Sequence, residues 1–169
     1  MALNNFPLKN IERVIMEKIT SFQVDHRKIV PGMYVSRIDG DITTFDLRLK
    51  KPNAGDYMSH VEMHTTEHMI ATFIRNSAIG RYIIYFGPMG CRTGFYLLTR
   101  GLANKTVLET LKKVLKDVIM YEGRVFGDTE EECGNYRELE LEDAKNICRE
   151  YLYILNSYSG VDKDFEYPQ

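Results

Sequence analysis

The sequence predicts an α+β fold in which helices pack on one face of a mainly antiparallel sheet, within a single domain. Four short segments have the alternation or the β-branched and aromatic content of strands, and they lie as two neighbouring pairs. Three longer segments carry apolar residues at helical spacing. The length of 169 residues suits one domain with a substantial core, and no repeat or Pro/Gly-rich linker divides the chain.

The two strand pairs are predicted hairpins. The segment GMYVSRIDGD is typical of a strand that ends in a turn at residues 39–40. In the following DITTFDLRLK, alternation places Phe45, Leu47 and Leu49 on one face. In the second pair, RYIIYF stops at the tight turn 87–90, and GFYLLTR is the predicted return strand.

Three helices are predicted from apolar spacing. The first extends from about Tyr57 to Ser77, and Thr106 to Glu109 fits a capping box that opens the second. A polar loop, EGRVFGDTEEECGNYR, leads to the last helix, which has one apolar face. The residues of that face are Leu141, Ala144, Ile147, Cys148, Tyr151, Leu152 and Leu155.

Composition and charge exclude several classes of partner. The net charge of −2 gives no electrostatic basis for binding nucleic acid or an anionic membrane, and no apolar run is long enough to cross a bilayer. The N-terminus lacks the uninterrupted apolar region of a secretory signal. The three cysteines, an odd number in a chain that needs no disulfide framework, predict a cytoplasmic protein with reduced thiols.

The first helix carries three histidines four residues apart, His60, His64 and His68. The outer two are about 12 Å apart along the helix axis, too far for one ion with metal–nitrogen bonds of about 2 Å. The metal pair is therefore His60/His64 or His64/His68, and Glu67 favours the second because the pattern HxxEH is the inverted zincin motif. Such spacing also occurs on solvated helix faces, and we interpret His60 as a surface or supporting histidine.

The three cysteines have different predicted roles. Cys148 falls on the apolar face of the last helix, where a buried thiol acts as a small hydrophobe. Cys91 and Cys133 each lie beside glycine in irregular segments, which suits rigid but accessible side chains. One of them can complete a His₂Cys metal site and the other can act as an acid/base, and the residues alone leave both assignments open.

Several segments together resemble one known family. HTTEHMIATFIRN, GPMGCRTGFYL and ECGNYRELELEDAK, in that order, are similar to the three signature segments of the S-ribosylhomocysteine lyase (LuxS) family. ITSFQVDH, TFDLRL and KPN resemble its N-terminal region. The resemblance extends from about Met16 to the C-terminal helix, nearly the whole chain.

The resemblance implies a metal site and two acid/base residues. His64, His68 and Cys133 match the family's metal ligands, with one divalent metal per subunit, iron(II) as the native ion and zinc or cobalt as substitutes. Glu67 and Cys91 match the two acid/base residues.

The resemblance also implies the substrate, its binding residues and a dimer. Ser21, His26 and Arg48 match residues around the substrate and the catalytic thiol. The family is homodimeric, with active sites at the subunit interface. Its reaction splits S-ribosylhomocysteine, formed in the recycling of S-adenosylmethionine, into homocysteine and 4,5-dihydroxy-2,3-pentanedione, the precursor of the quorum signal autoinducer-2.

This reaction agrees with the residues found. Cleaving a thioether without redox change requires that the carbonyl migrate along the ribose chain until sulfur lies β to it. Each step removes a proton beside a carbonyl, so a Lewis-acid metal and two acid/base groups are the parts required. Our hypothesis is that Cys91 works as a thiolate stabilised by Arg48 and the metal, and that Glu67 serves the later steps and the β-elimination. No organic cofactor is expected, since the chain has no Gly-rich phosphate loop.

One departure and two alternatives accompany this interpretation. Residues 1–15 precede the resemblance and are interpreted as an N-terminal extension, disordered or added by an upstream start, before a lyase domain at 16–169. The main alternative is an inverted-motif metallopeptidase, in which the acidic run 130–132 would supply the third ligand. The other is a non-catalytic metal protein, whose closed site would take a fourth ligand from His26 or Cys91.

Overall fold

The fold is built from four strands and four helices in the part of the chain that the structure describes. A computed structural model describes residues 16–169. The strands are β1 (Gly32–Asp39), β2 (Ile42–Arg48), β3 (Ile83–Pro88) and β4 (Gly94–Arg100). The helices are α1 (Thr20–Gln23), α2 (His60–Arg75), α3 (Asn104–Met120) and α4 (Leu141–Leu155).

The strands form one antiparallel sheet in the order β1-β2-β4-β3. Both predicted hairpins are present, as β1/β2 and β3/β4, and α2 connects β2 to β3. The pairing of β2 with β4 places Arg48 opposite Gly94. Beyond this pair, the Thr93 carbonyl accepts hydrogen bonds from the backbone N–H groups of Leu49 and Lys50, both at 2.9 Å. The end of β2 is thereby fixed to the turn that carries Cys91.

One core joins the sheet to the three long helices. Phe45, Leu47, Phe95 and Leu97 are each at most 1% exposed, and they belong to one cluster with the apolar faces of α2, α3 and α4. The alternation that predicted the inner face of β2 is confirmed. The antiparallel α+β domain that the sequence predicts is therefore the observed architecture.

The start of α3 differs from the sequence prediction. The predicted capping box at Thr106 is wrong, because α3 already begins at Asn104 after Ala103, and no side chain caps it. Apolar spacing reveals only the buried face of a helix, so a polar first turn is not visible in it. A capping box is present instead in α2, where Ser59 and Glu62 exchange backbone-to-side-chain bonds of 2.6 and 3.1 Å.

Two further expectations concern the N-terminal residues and the possibility of a membrane-spanning helix. The predicted N-terminal extension, residues 1–15, lies outside the described residues. Within residues 16–169, no helix combines the length and apolar composition that crossing a bilayer requires.

The contact of β4 with β2 predicts a sensitive glycine. A Cβ at Gly94 would collide with the Leu47 carbonyl oxygen, which belongs to the paired strand and has little freedom to move. We expect Gly94→Ala to lower the free energy of unfolding by about 1–3 kcal/mol, measured by urea denaturation. Gly90→Ala, in the same hairpin but with open space around its Cβ position, is the control. Equal stability of the two variants would contradict this packing.

Candidate functional site

Three potential metal ligands converge where α2 meets the loop before α4. The ligand atoms of His64, His68 and Cys133 all lie within 4.8 Å of one another, and each residue is partly buried. The Cys133 sulfur lies 3.3 Å from Nε2 of His64. The two histidines are one helical turn apart, with ring centroids separated by 4.6 Å. Of the two predicted histidine pairs, the structure brings His64 and His68 to a cysteine.

The orientation of His68 is set by the loop that follows α3. Its Nδ1 lies 2.7 Å from the Phe126 carbonyl oxygen, which can only accept, so Nδ1 carries the proton. The Nε2 lone pair is then free to face the ligand group, the arrangement found around metal-bound histidines. The next residue, Gly127, has φ +74°, and a Cβ there would lie 2.8 Å from Nδ1 of His68. The loop can therefore approach the imidazole only because residue 127 is glycine.

The donor set fits a divalent transition metal. Two imidazoles and one thiolate are three of the ligands that tetrahedral sites for such ions use, and a three-ligand site leaves one position open. The acidic run 130–132 is adjacent in sequence but contributes no ligand to this group. The arrangement therefore favours a His₂Cys site over the glutamate-completed site of a peptidase.

Glu67 lies beside this group. Its Oε2 is 3.9 Å from Nε2 of His68, and its side chain is 30% exposed. Together with His60 and His64 it lines a cleft of about 260 Å³. A carboxylate here can reach a molecule in the cleft. His60 is the exposed first residue of α2 and does not belong to the group of potential ligands. This position agrees with its interpretation as a surface or supporting histidine.

Cys91, the other predicted acid/base residue, lies in the β3–β4 turn. It is exposed, and its sulfur is 3.0 Å from Oγ1 of Thr93 and 3.9 Å from Nη1 of Arg48. The same Nη1 donates to Oγ1 of Thr93 at 2.6 Å. Arg92, between the two, has φ +60°, a region that residues other than glycine seldom adopt. The tight turn thus presents an accessible thiol to a guanidinium.

Arg48 is held by a buried carboxylate. Its Nη2 and Nε donate to the two oxygens of Asp46 at 2.6 and 3.1 Å, and the residues are 2% and 1% exposed. Burial alone would lower the pKa of Arg48, but the hydrogen bond and charge of Asp46 reverse this and raise it. The guanidinium therefore stays charged next to Cys91.

Of the three predicted substrate-binding residues, His26 and Arg48 lie beside Cys91. His26, whose Nδ1 is 2.9 Å from the Val24 carbonyl oxygen, lines a cleft of about 300 Å³ with Arg48 and Cys91. Ser21 falls within α1, but its side chain lies outside the described part of the structure. His26, Arg48 and Cys91 are thus brought together within one chain.

Three contributors were not predicted from the sequence. Asp46 precedes Arg48 by two residues, so both side chains lie on the same strand face. This spacing could have indicated an ion pair between them. Thr93 follows Cys91 by two residues and bridges it to Arg48. The Phe126 carbonyl is a backbone group without any sequence signal.

The predicted core role of Cys148 is confirmed, since it is fully buried and burial raises its pKa to about 12.

The fold and these clusters define a small α+β protein with a potential three-ligand metal site and an accessible cysteine beside a buried arginine. Residues 19–159 match the LuxS family, described as S-ribosylhomocysteinase. A protein of Finegoldia magna named S-ribosylhomocysteine lyase is 43% identical over 147 residues, 84% of this chain and 94% of that protein. Proteins of the same name are 40% identical in Borreliella afzelii, over 90% of this chain and all of that protein, and 42% identical in Clostridium beijerinckii, over 90% and 99%.

The chain therefore belongs to the LuxS family. The resemblance seen in the sequence segments is confirmed, and with it the prediction of a carbon–sulfur lyase family.

The contact between Gly127 and His68 generates a metal-binding prediction. We expect Gly127→Ala to displace the imidazole and to weaken zinc affinity by about 10- to 100-fold, the usual effect of losing a partner that orients a ligand. Competition with a chromophoric chelator measures the affinity.

The matched control is Gly40→Ala in the β1–β2 turn. Gly40 has the same left-handed backbone, φ +61°, but open space around its Cβ position. It should share the backbone strain and leave zinc affinity unchanged. The same loss of zinc affinity in both variants would mean that backbone strain, not the displaced imidazole, weakens binding.

Proposed function

We propose that the protein is a metal-dependent lyase that cleaves the thioether of S-ribosylhomocysteine. The products would be homocysteine and 4,5-dihydroxy-2,3-pentanedione, the autoinducer-2 precursor. The observation that carries the proposal is the convergence of His64, His68 and Cys133 in a member of this family, with Glu67 at their side. The relatives named above carry the same activity in their names.

The proposed metal ligands are His64, His68 and Cys133, with iron(II) as the native ion and zinc or cobalt as substitutes. When bound, such an ion supplies Lewis-acid polarisation of a carbonyl or hydroxyl oxygen. The mixed imidazole and thiolate donors are of a kind that suits all three metals. The three unpaired cysteines suit the reducing cytoplasm in which we place the enzyme.

Cys91 is the proposed base of the first proton transfers. Its sulfur is accessible and lies 3.9 Å from a guanidinium nitrogen of Arg48, whose charge favours the thiolate. Thr93 Oγ1, at 3.0 Å, orients the sulfur. A thiolate so placed can remove a proton beside the substrate carbonyl and return it to the neighbouring carbon.

Glu67 is the proposed acid/base of the later steps. Its carboxylate lies in the cleft next to the ligand group, where it can exchange protons with the hydroxyls of the sugar chain. In the β-elimination its carboxylate removes the proton α to the carbonyl, the carbon–sulfur bond breaks, and homocysteine leaves as a thiolate that takes up the proton held by Glu67. His26 and Ser21 are the proposed substrate-binding residues on the other side.

We also propose a homodimer with active sites at its interface. The sheet face opposite the helices carries a broad cleft of about 520 Å³. Two of its lining residues, Tyr85 and Tyr96, present large rings, and Tyr85 is 50% exposed. An apolar, partly exposed sheet face of this kind is suited to packing against its own copy.

The lyase proposal is tested by thiol release. Anaerobically purified protein is mixed with S-ribosylhomocysteine, homocysteine is detected with a thiol reagent, and metal content is measured in parallel. We expect Cys91→Ala and Glu67→Gln to keep the metal and lose activity by about 10²- to 10⁴-fold, because each would remove a proton-transfer group. Cys133→Ala should lose both metal and activity.

Cys148→Ala is the matched cysteine control, since that thiol is buried in the core. It should retain both metal and activity. Full lyase activity in Cys91→Ala would rule out its proposed role. Metal bound without homocysteine release, combined with cleavage of peptide substrates, would replace the lyase by the metallopeptidase.

The dimer proposal is tested by sedimentation. Leu98 lies half-buried on β4, in the cleft on the sheet face opposite the helices, between Thr44 of β2 and Tyr85 of β3. In a two-fold symmetric interface Leu98→Glu introduces a charge from each subunit, so we expect the dimer dissociation constant to rise by about 100-fold or more. Tyr153→Glu, at an 83% exposed position of α4, should leave it unchanged. A monomeric wild-type protein would refute the interface.

A further inference from the structure

The C-terminal segment after α4 is anchored to the domain by its own contacts. Phe165 is 1% exposed and belongs to the main core cluster. The Asp164 carboxylate accepts hydrogen bonds from the Ser159 backbone and hydroxyl and from the Gly160 backbone, at 2.8–2.9 Å. The short helical turn Asp162–Phe165 also packs against β1. These contacts fix the C-terminal segment and thereby place Tyr167 against the sheet.

Tyr167 lies on the sheet face that carries the buried ion pair. Its ring stacks on Tyr34 with centroids 4.8 Å apart and planes 21° apart. Its hydroxyl donates to Oδ2 of Asp46 at 2.8 Å. Burial, followed by the negative charge of Asp46, raises the pKa of Tyr167, so the phenol is protonated and acts as a donor at neutral pH.

A continuous set of contacts leads from this hydroxyl to the thiol. Oδ2 of Asp46 accepts both from Tyr167 at 2.8 Å and from Nη2 of Arg48 at 2.6 Å. Nη1 of Arg48 then contacts Thr93 and the Cys91 sulfur. Since Asp46 and Arg48 are almost fully buried, their interaction is weakly screened by water.

We propose that Tyr167 is a positioning residue for Cys91, acting through Asp46 and Arg48. The phenol draws negative charge away from the shared Asp46 oxygen, which leaves more of the guanidinium charge available to the sulfur. It also closes a small cavity whose lining includes His26, Asp46 and Arg48, so that water does not compete for the carboxylate. The inference rests on the proposed function, in which Cys91 is the base.

The test is Tyr167→Phe, which removes the hydroxyl and keeps the ring that stacks on Tyr34. Zinc-loaded wild-type and variant proteins are alkylated with iodoacetamide, and each cysteine is followed by peptide mass spectrometry. We expect alkylation of Cys91 to slow by about threefold to tenfold, because a hydrogen bond to a charged group is stronger than one between neutral groups. Buried Cys148 should stay unmodified in both proteins.

Tyr153→Phe is the matched control. That tyrosine is 83% exposed on α4, so loss of its hydroxyl should leave the Cys91 rate unchanged. Deletion of residues 167–169 serves as a second variant that removes the same contact by another route. It should slow Cys91 at least as much as Tyr167→Phe.

A direct readout is the NMR signal of the Arg48 Nε–H group. It should shift in Tyr167→Phe, because the carboxylate that this group contacts loses its other donor. In lyase assays kcat should fall by the same factor as the alkylation rate, with KM changed by less than about twofold. An unchanged Cys91 rate together with an unchanged Arg48 signal would overturn the inference, as would a rise in KM alone.

Failure of this inference is distinguishable from failure of the proposed function. Alkylation and NMR are measured without substrate, so a protein that released no homocysteine could still show the effect of Tyr167. Conversely, full lyase activity with an unaltered thiol in Tyr167→Phe would remove only the role of Tyr167. Alkylation of Cys133 in the zinc-loaded protein would count against the metal site instead.

Discussion

The buried ion pair between Asp46 and Arg48 is the interaction on which the thiol half of the candidate site depends. Both residues lie on β2, and alternation turns them away from the helical core toward the other sheet face. There Arg48 reaches the Cys91 turn, while Asp46 meets the C-terminal segment. Removing one partner of a buried pair typically costs about 3–5 kcal/mol, because the other charge is left uncompensated. Such a pair therefore fixes the guanidinium in one place.

The candidate metal ligands depend on a different constraint, the helical period of α2, which fixes how far apart their side chains lie. One helical turn separates His64 from His68, so the backbone alone places both imidazoles on one side of the helix. The third donor, Cys133, comes from a distant loop, and the Phe126 carbonyl that orients His68 comes from another part of the same connection. Local geometry thus provides two donors, and tertiary packing provides the third donor and the orienting carbonyl.

This division explains what the sequence could predict. The strands, the helices and the core position of Cys148 follow from short-range spacing, which reports backbone geometry and burial directly. Spacing left two histidine pairs open, and the adjacent Glu67 favoured His64/His68. The choice between Cys91 and Cys133 required a family resemblance, since nothing local distinguishes two cysteines beside glycines. The contact of Tyr167 with Asp46 joins residues 121 positions apart. Alternation on β2 would assign Asp46 to a solvated face, whereas chain segments from both ends of the described structure cover it.

The two halves of the candidate site are therefore positioned in different ways, the candidate metal ligands by the helix period of α2 and the thiol by the register of the strands. The register that sets Arg48 opposite Gly94 does not involve α2, and the contact of His68 with Phe126 does not involve the sheet. In the proposed reaction, which would require a Lewis acid and acid/base groups, the candidate metal ligands and the candidate base are thus positioned by different elements of the fold. Burial raises the pKa of the Cys148 thiol, whereas Cys91 is exposed beside a guanidinium, so two residues of the same type lie in opposite environments.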